Sequence, residues 1–201
     1  VHLQPTPTMN FEHPDVQVFL KNVNIGPDSK ENVVRLYYAV RDSIRYDPYT
    51  IELSVEGLRA STTIAAGRGW CVSKAILLSA LCRAVGIPAR LGFADVRNHL
   101  STERMRKLMQ SDVFVWHGYS SILLDQKWIK ATPAFNLELC QRFGLKSLEF
   151  DGTEDSIYHP FDLEGRRHME YLTLRGEFTD CLLYTSDAAD ERLGVDVGGG
   201  G

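Results

Sequence analysis

The spacing of apolar residues predicts two long helices in the first half of the chain. Residues 29–45 keep apolar side chains on one helical face, and Asp28 with Glu31 forms a capping-box start for that helix. A second run begins at Cys71 and repeats apolar residues at i, i+4 and i+7 until Gly86 ends it. The second helix is the more apolar of the two, so we expect it to face the core.

Alternating apolar residues predict an antiparallel hairpin in the second half of the chain. Residues 113–124 and 128–131 carry this pattern, and the polar triplet 125–127 between them supplies the turn. Residues 87–96 also alternate and predict a strand before the hairpin. Helices combined with an antiparallel sheet indicate an α+β fold.

The remaining segments carry weaker patterns. Prolines in residues 1–28 indicate an extended lead-in, with 16–20 as an edge strand. Beyond it we expect short helices over 58–66, 101–108 and 136–143, the last ended by Gly144, and a long loop or short strands over 147–171.

Composition and charge exclude several classes of protein. The chain has 201 residues, 44% of them hydrophobic, which is enough for one domain with a full core. Its net charge of −4 leaves no basic surface for nucleic acid or an anionic membrane. No apolar run approaches the roughly 18 residues that span a bilayer, and no signal-peptide pattern is visible. Four cysteines without a CxxC pair indicate free thiols, so we expect a cytoplasmic protein.

The end of the sequence resembles translated adapter DNA. Residues 181–201 begin CLLYTSDAADE, which a transposon-type sequencing adapter encodes in one reading frame, and they end in four glycines. We therefore expect a lead-in over 1–28, a domain over 29–180 and a non-native tail over 181–201, with native sequence continuing beyond Asp180.

Cys71 is the strongest candidate for chemistry because it stands at the start of a helix. Gly67 and Gly69 precede it and allow a sharp turn and the close approach of a substrate. The unpaired N–H groups and the positive dipole end of a helix favour an anion, so we expect a lowered thiol pKa. Cys82 and Cys140 lie within ordinary helical patterns and are interpreted as buried apolar residues.

A cysteine nucleophile needs a base and a third group that orients the base. His117 lies early on the first hairpin strand, and the returning strand brings residues 132–135 alongside it. A helix with the thiol packed against a hairpin with the imidazole is a papain-like arrangement. A second polar group, formed by Asp95, Arg97 and His99, either shapes the substrate cleft or is a solvated charge cluster.

Taken in order, these motifs resemble the core of the transglutaminase-like superfamily. GRGWCVSKAILLSALCRAVGIPARL followed by WHGYSSILLDQKWIKATP matches its G-x-G-x-C helix start, its R-A-x-G-I-P-A-R step, its histidine strand and its W-x-x-x-D-P-T return strand. The resemblance covers residues 32–136. It implies that Cys71 forms a thioester with a substrate amide carbonyl, and that His117 is the base and later protonates the leaving amine.

The sequence departs from the family pattern at two positions. The family aspartate falls at Thr132, which accepts a hydrogen bond but carries no charge to stabilise an imidazolium. Asn136 is the alternative orienting group, a neutral amide as in papain-type sites. Tyr119 stands where the family more often has a tryptophan, and Trp70 either walls the acyl site or only packs.

The sequence thus predicts a papain-like, transglutaminase-type α+β core, with the nucleophile helix packed on an antiparallel sheet. The expected function is thiol-dependent acyl chemistry on peptide or protein amide bonds. It is either hydrolysis, as in a cysteine peptidase or amidase, or transfer to an amine. The alternative is an inactive binding or scaffold module with the same fold. No cofactor and no metal is implied, and the oligomeric state stays open.

Overall fold

The computed structural model describes residues 2–99, 103, 107, 111–158 and 161–182. The helices are α1 (Pro14–Lys21), α2 (Ser29–Ser43), α3 (Val55–Leu58), α4 (Ala60–Ala66), α5 (Cys71–Ala84) and α6 (Leu137–Phe143). The strands are β1 (Arg45–Tyr46), β2 (Arg68–Gly69), β3 (Ala89–Asn98), β4 (Val113–Leu124), β5 (Lys127–Ala131) and β6 (Met169–Phe178). Of the helix expected over 101–108, all but two residues lie outside the described part of the chain.

The main sheet has the strand order β5-β4-β3-β6, and each neighbouring pair is antiparallel. The predicted hairpin is confirmed as β4 and β5. Its two turn residues, Asp125 and Gln126, have φ angles of 48° and 65°. Two consecutive positive φ angles match the right-handed twist of the strands that a two-residue turn joins.

A second, two-stranded sheet connects the two long helices. β1 follows α2, β2 precedes α5, and the two strands pair in parallel with Tyr46 opposite Gly69. The backbone before Cys71 is therefore fixed to the end of α2, which gives the start of α5 a defined position.

Helix α5 runs through the centre of the molecule. It packs against α2, α4, β3 and β4, and every residue from Cys71 to Arg83 is buried. The apolar spacing predicts one buried face for this helix, whereas the structure buries its whole circumference. Lys74 is tolerated inside because its Nζ donates hydrogen bonds to the carbonyl oxygens of Arg41, at 2.9 Å, and Ile44, where α2 ends. Burial lowers the pKa of Lys74 to about 7.

The first segment differs from the extended lead-in and edge strand that its prolines indicate. Residues 14–21 form α1, with Pro14 in its first turn and the His13 ring nitrogen accepting the Asp15 N–H at 3.2 Å. Proline fits the first helical turn because its missing N–H has no intrahelical acceptor there. Val16 is fully buried, so α1 is part of the core.

The last strand, β6, begins at the end of the segment predicted as a long loop or short strands over 147–171 and extends to Phe178. The sequence pattern does not predict this strand, because apolar side chains on it are exposed to solvent. Leu172 and Leu174 are 41% and 57% exposed, whereas Arg175 pairs with the buried Asp95. An edge strand that turns leucines outward lacks the usual alternation.

No helix in the described ranges is long and apolar enough to cross a membrane.

Candidate active site

Cys71 is the first residue of α5, as the glycine-rich junction predicts. Trp70 is the N-cap, and its N–H donates to Ser73 Oγ at 3.0 Å, which fixes the first turn. A Cβ at Gly69 would lie 2.5 Å from the same Ser73 oxygen, so only glycine fits there. The turn therefore fixes the position of the Cys71 thiol at the start of α5.

Backbone N–H groups surround the Cys71 thiol, but its pKa is not lowered. The side chain is 7% exposed, and burial raises the thiol pKa to about 11 despite lowering contributions from the N–H groups of Gly118, Val72 and Cys71 itself. The expected lowering is therefore wrong for this closed site, because removal of water disfavours the thiolate more than the helix start favours it.

The contact with Gly118 joins the thiol to the histidine strand. Gly118 follows His117 on β4, and its backbone N–H is one of the groups that lower the pKa of the Cys71 thiol against the effect of burial. A Cβ at Gly118 would lie 2.8 Å from the Cα of Val72, so the strand and the helix start touch through their backbones. The two elements predicted to carry nucleophile and base thus meet at this point.

The His117 imidazole is buried and neutral near neutral pH. It is 6% exposed, its Nε2 has no hydrogen-bond partner among the described residues, and burial lowers its pKa to about 4. No described charge offsets this burial, since burial is the sole cause of the shift.

Thr132, in the position of the family aspartate, lies on the same cavity as His117. The cavity holds about 30 Å³. It is lined by His117, Thr132, Ala134, Phe135, Lys146, Leu148, Ile157, Tyr158, His168 and Met169. Thr132 Oγ1, like His117 Nε2, is buried without a hydrogen-bond partner within the ranges that the structure describes. No carboxylate is among these described lining residues, so no anion faces the imidazole across the cavity.

Asn136 lies away from this cavity and supports the neighbouring backbone. Its Oδ1 accepts the N–H of Tyr46 at 3.0 Å, and it is the N-cap of α6. These bonds tie α6 to β1. The alternative orienting role of Asn136 stays a prediction, but its side-chain oxygen is already engaged by another donor.

The two residues predicted to contact substrate are both buried. Trp70 is 9% exposed and belongs to the hydrophobic core around α5. Tyr119 is 1% exposed, with its ring packed on Gly92 and its hydroxyl 3.5 Å from Glu177. Neither is among the described residues that line the cavity, and their contact with substrate stays a prediction.

Three further aromatic residues near the site were not predicted. The pKa of Tyr46 and that of Tyr171 are raised by burial and also by the proximity of Cys71. His168 lines the cavity with its ring parallel to Phe135, the centroids 6.2 Å apart. Tyr171 and His168 come from the segment predicted as a long loop or short strands, whose pattern does not indicate a place beside the thiol.

Among the described residues, no three His, Cys, Asp or Glu side chains gather as a set of metal ligands.

Comparison with known proteins agrees with this architecture. The family model of the transglutaminase-like superfamily matches residues 20–133, which is more than half of the chain. A crystal structure of a putative cysteine protease from Cytophaga hutchinsonii superposes with a TM-score of 0.52 at 20% sequence identity. The match covers 96% of this chain and 48% of that one, so the chain spans about half the length of its solved relative. No curated protein matches the chain.

The structural match supports the predicted papain-like α+β core. The family match covers the thiol helix, the histidine strand and the return strand up to Pro133. The chain therefore belongs to the transglutaminase-like superfamily.

Proposed function

We propose that this protein is a thiol enzyme that acts on amide bonds through Cys71 and His117. The observation that supports the proposal is the close contact of Gly118, which directly follows His117, with the start of the nucleophile helix: a Cβ at Gly118 would lie 2.8 Å from the Cα of Val72. Membership of the superfamily supports the same pairing.

The reaction begins with attack of the Cys71 sulfur on the amide carbonyl carbon while His117 removes the thiol proton. A C–S bond forms and the carbonyl oxygen becomes an oxyanion, which we assign to the N–H groups of Cys71 and Gly118. His117 then gives its proton to the amide nitrogen, the C–N bond breaks, and the amine leaves an acyl thioester. Water or an amine, deprotonated by His117, attacks this thioester and displaces the sulfur.

The resting site holds a neutral thiol and a neutral imidazole. The pKa of Cys71 is about 11 and that of His117 about 4, so proton transfer between them in the closed site is unfavourable before substrate binds. Proton removal therefore accompanies attack on the carbonyl, as in general-base catalysis by a serine hydrolase. Thr132 fits this scheme, since no carboxylate is present to stabilise an imidazolium at rest.

Hydrolysis is the favoured outcome over acyl transfer. The similar structure from Cytophaga hutchinsonii is named a putative cysteine protease, which supports a peptidase or amidase acting on a peptide or protein amide. A cytoplasmic location is part of the proposal, because all four cysteines are free.

The test is incubation with a pool of peptide amides and glutamine-containing peptides, with hydroxylamine as the competing amine. Mass spectrometry distinguishes the carboxylic acid of hydrolysis from the hydroxamate of transfer and detects acyl groups on Cys71. We expect products from the wild type and from the matched control Cys140→Ala, and none from Cys71→Ala. A folded wild type without product or acylated Cys71 would support the scaffold module instead.

A further inference from the structure

An ion pair between a partly exposed arginine and a buried aspartate joins the two strands that follow the histidine strand in the sheet order. Arg175 on β6 contacts Asp95 on β3 through two nitrogens, with Nη2 2.8 Å from Oδ2 and Nε 3.0 Å from both carboxylate oxygens. Asp95 is 8% exposed. For this residue, neither predicted alternative, a cleft-shaping group or a member of a solvated charge cluster, describes what the structure shows. It is a buried carboxylate with a fixed partner.

The same carboxylate holds the backbone next to His117. Asp95 Oδ1 accepts the N–H of Trp116 at 3.1 Å, and the Arg175 guanidinium lies 5.0 Å from the centre of the Trp116 ring. The ring also meets Phe93 edge to face at 5.5 Å. The backbone and the ring of Trp116 are thus both held from β3 and β6.

Trp116 needs this support because its backbone is strained. Its φ angle is 58°, in the left-handed region, which a bulky residue occupies only where its surroundings force it. The strand register shifts at this point, since Ala94 pairs with His117 but Val96 pairs with Phe114. One extra residue of β4 is therefore accommodated as a bulge immediately before His117.

A bulge that relaxes by one residue turns every following side chain to the other face of the sheet. The position of the His117 ring therefore depends on Trp116 keeping its strained conformation. The carboxylate that fixes the Trp116 N–H, and the guanidinium that fixes the carboxylate, act together on this one backbone position.

We propose that Asp95 and Arg175 are positioning residues that hold the His117 imidazole in register with the Cys71 thiol. The inference rests on the proposed function for its catalytic meaning, but the geometry it asserts is measurable without turnover. Neither residue touches the reacting atoms; both act through Trp116.

The chain contains a matched control pair on the same two strands. Arg90 Nη2 on β3 lies 2.7 Å from Glu177 Oε2 on β6, and the Arg90 guanidinium lies 3.6 Å from the centre of the Trp128 ring. The Arg90 and Glu177 side chains are 23% and 18% exposed, against 30% and 11% for Arg175 and Asp95. Loss of either pair weakens the β3–β6 contact, but only one pair borders His117.

The experiment compares Arg175→Gln with Arg90→Gln, and adds Asp95→Asn and the conservative Arg175→Lys. The first readout is the NMR signal of the His117 ring, assigned by its absence in His117→Gln. The second is the pH profile of Cys71 alkylation by iodoacetamide, with Cys140 as internal reference. Thermal unfolding identifies any variant that fails to fold.

We expect the His117 signal to shift and Cys71 alkylation to slow by about 10- to 100-fold in Arg175→Gln and Asp95→Asn. Arg90→Gln should match the wild type, and Arg175→Lys should recover part of the loss. Equal effects of Arg175→Gln and Arg90→Gln on both readouts would overturn the inference. If the His117 signal shifts in Arg175→Gln but Cys71 is alkylated at the same rate in the wild type and in His117→Gln, the positioning role is supported and the proposed function is rejected.

Discussion

His117 and Thr132 line one cavity of about 30 Å³, and neither His117 Nε2 nor Thr132 Oγ1 has a hydrogen-bond partner in the described part of the chain. Buried polar groups without partners are uncommon, and a cavity of this size has room for a bridging water. The family pattern places a carboxylate where Thr132 stands. Thr132 thus borders the same cavity as the His117 imidazole but carries no charge.

Thr132→Asp should increase the reactivity of the site. A carboxylate facing the imidazole favours its protonated form, so the His117 pKa should rise from about 4. We expect faster alkylation of Cys71 near neutral pH, by about 10-fold. A rise of one unit in the His117 pKa, which is about 1.4 kcal/mol, increases the population of the protonated ring tenfold. Thr132→Asn, which is uncharged and of similar size, is the control. If it accelerates alkylation as much as Thr132→Asp, charge is not the missing property.

Burial of neutral His117 should make the protein sensitive to acid. Its pKa is lowered from 6.5 to about 4, so the native state binds a proton less readily than the unfolded chain. Above pH 6.5 the ring is neutral in both the native and the unfolded state. As the pH falls from 6.5 to about 4, the unfolded chain binds a proton that the native ring does not, so the free energy of unfolding decreases. The loss amounts to about 3 kcal/mol.

Urea unfolding over this pH range measures the effect, and His117→Gln should reduce the loss. The lowered pKa of His2 affects both proteins equally, so the difference between them isolates His117. The same acid sensitivity in His117→Gln would contradict the assignment.

Gly118→Ala should separate the helix start from the histidine strand. The added Cβ would lie 2.8 Å from the Cα and 3.0 Å from the Cγ2 of Val72, and backbone cannot move aside cheaply. We expect a loss of about 1–3 kcal/mol in stability, together with slower alkylation of Cys71. Gly26→Ala is the control, because its nearest neighbour is the Arg35 side chain at 3.8 Å. Unchanged stability and alkylation in Gly118→Ala would argue against the close contact.

Asn136→Ala should lower stability without changing the pH profile of the thiol. Its Oδ1 satisfies the Tyr46 N–H, so truncation leaves a donor unpaired and costs about 1 kcal/mol. Denaturant unfolding and the pH dependence of Cys71 alkylation measure the two effects separately. A shifted pH profile would instead support the papain-like orienting role for Asn136.

The sequence was sufficient to predict the elements whose signals are local. The apolar run from Cys71, ended at Gly86, predicts α5, and the polar triplet 125–127 predicts the β4–β5 hairpin; both are confirmed. Such signals depend on spacing and turn chemistry, which are properties of a short stretch of chain.

Features that depend on tertiary surroundings were not predictable. The helix start favours a Cys71 thiolate locally, but burial by the rest of the protein reverses the sign. Strand β6 turns Leu172 and Leu174 outward and brings Tyr171 toward the thiol, so its pattern is that of a loop. The role of Asp95 also depends on Arg175, which lies 80 positions later in the chain.

Activation of Cys71 by His117 can be measured by competitive alkylation of the three thiols within the expected domain. Limiting iodoacetamide at mildly acidic pH is applied to the wild type and to His117→Gln, with peptide mass spectrometry reporting each cysteine. Cys71 is 7% exposed, against 0% for Cys82 and 1% for Cys140, so exposure alone favours it and the variant is essential. The account predicts that Cys71 reacts first in the wild type and loses at least about 10-fold in rate in His117→Gln. Equal rates for Cys71 in the two proteins would contradict it.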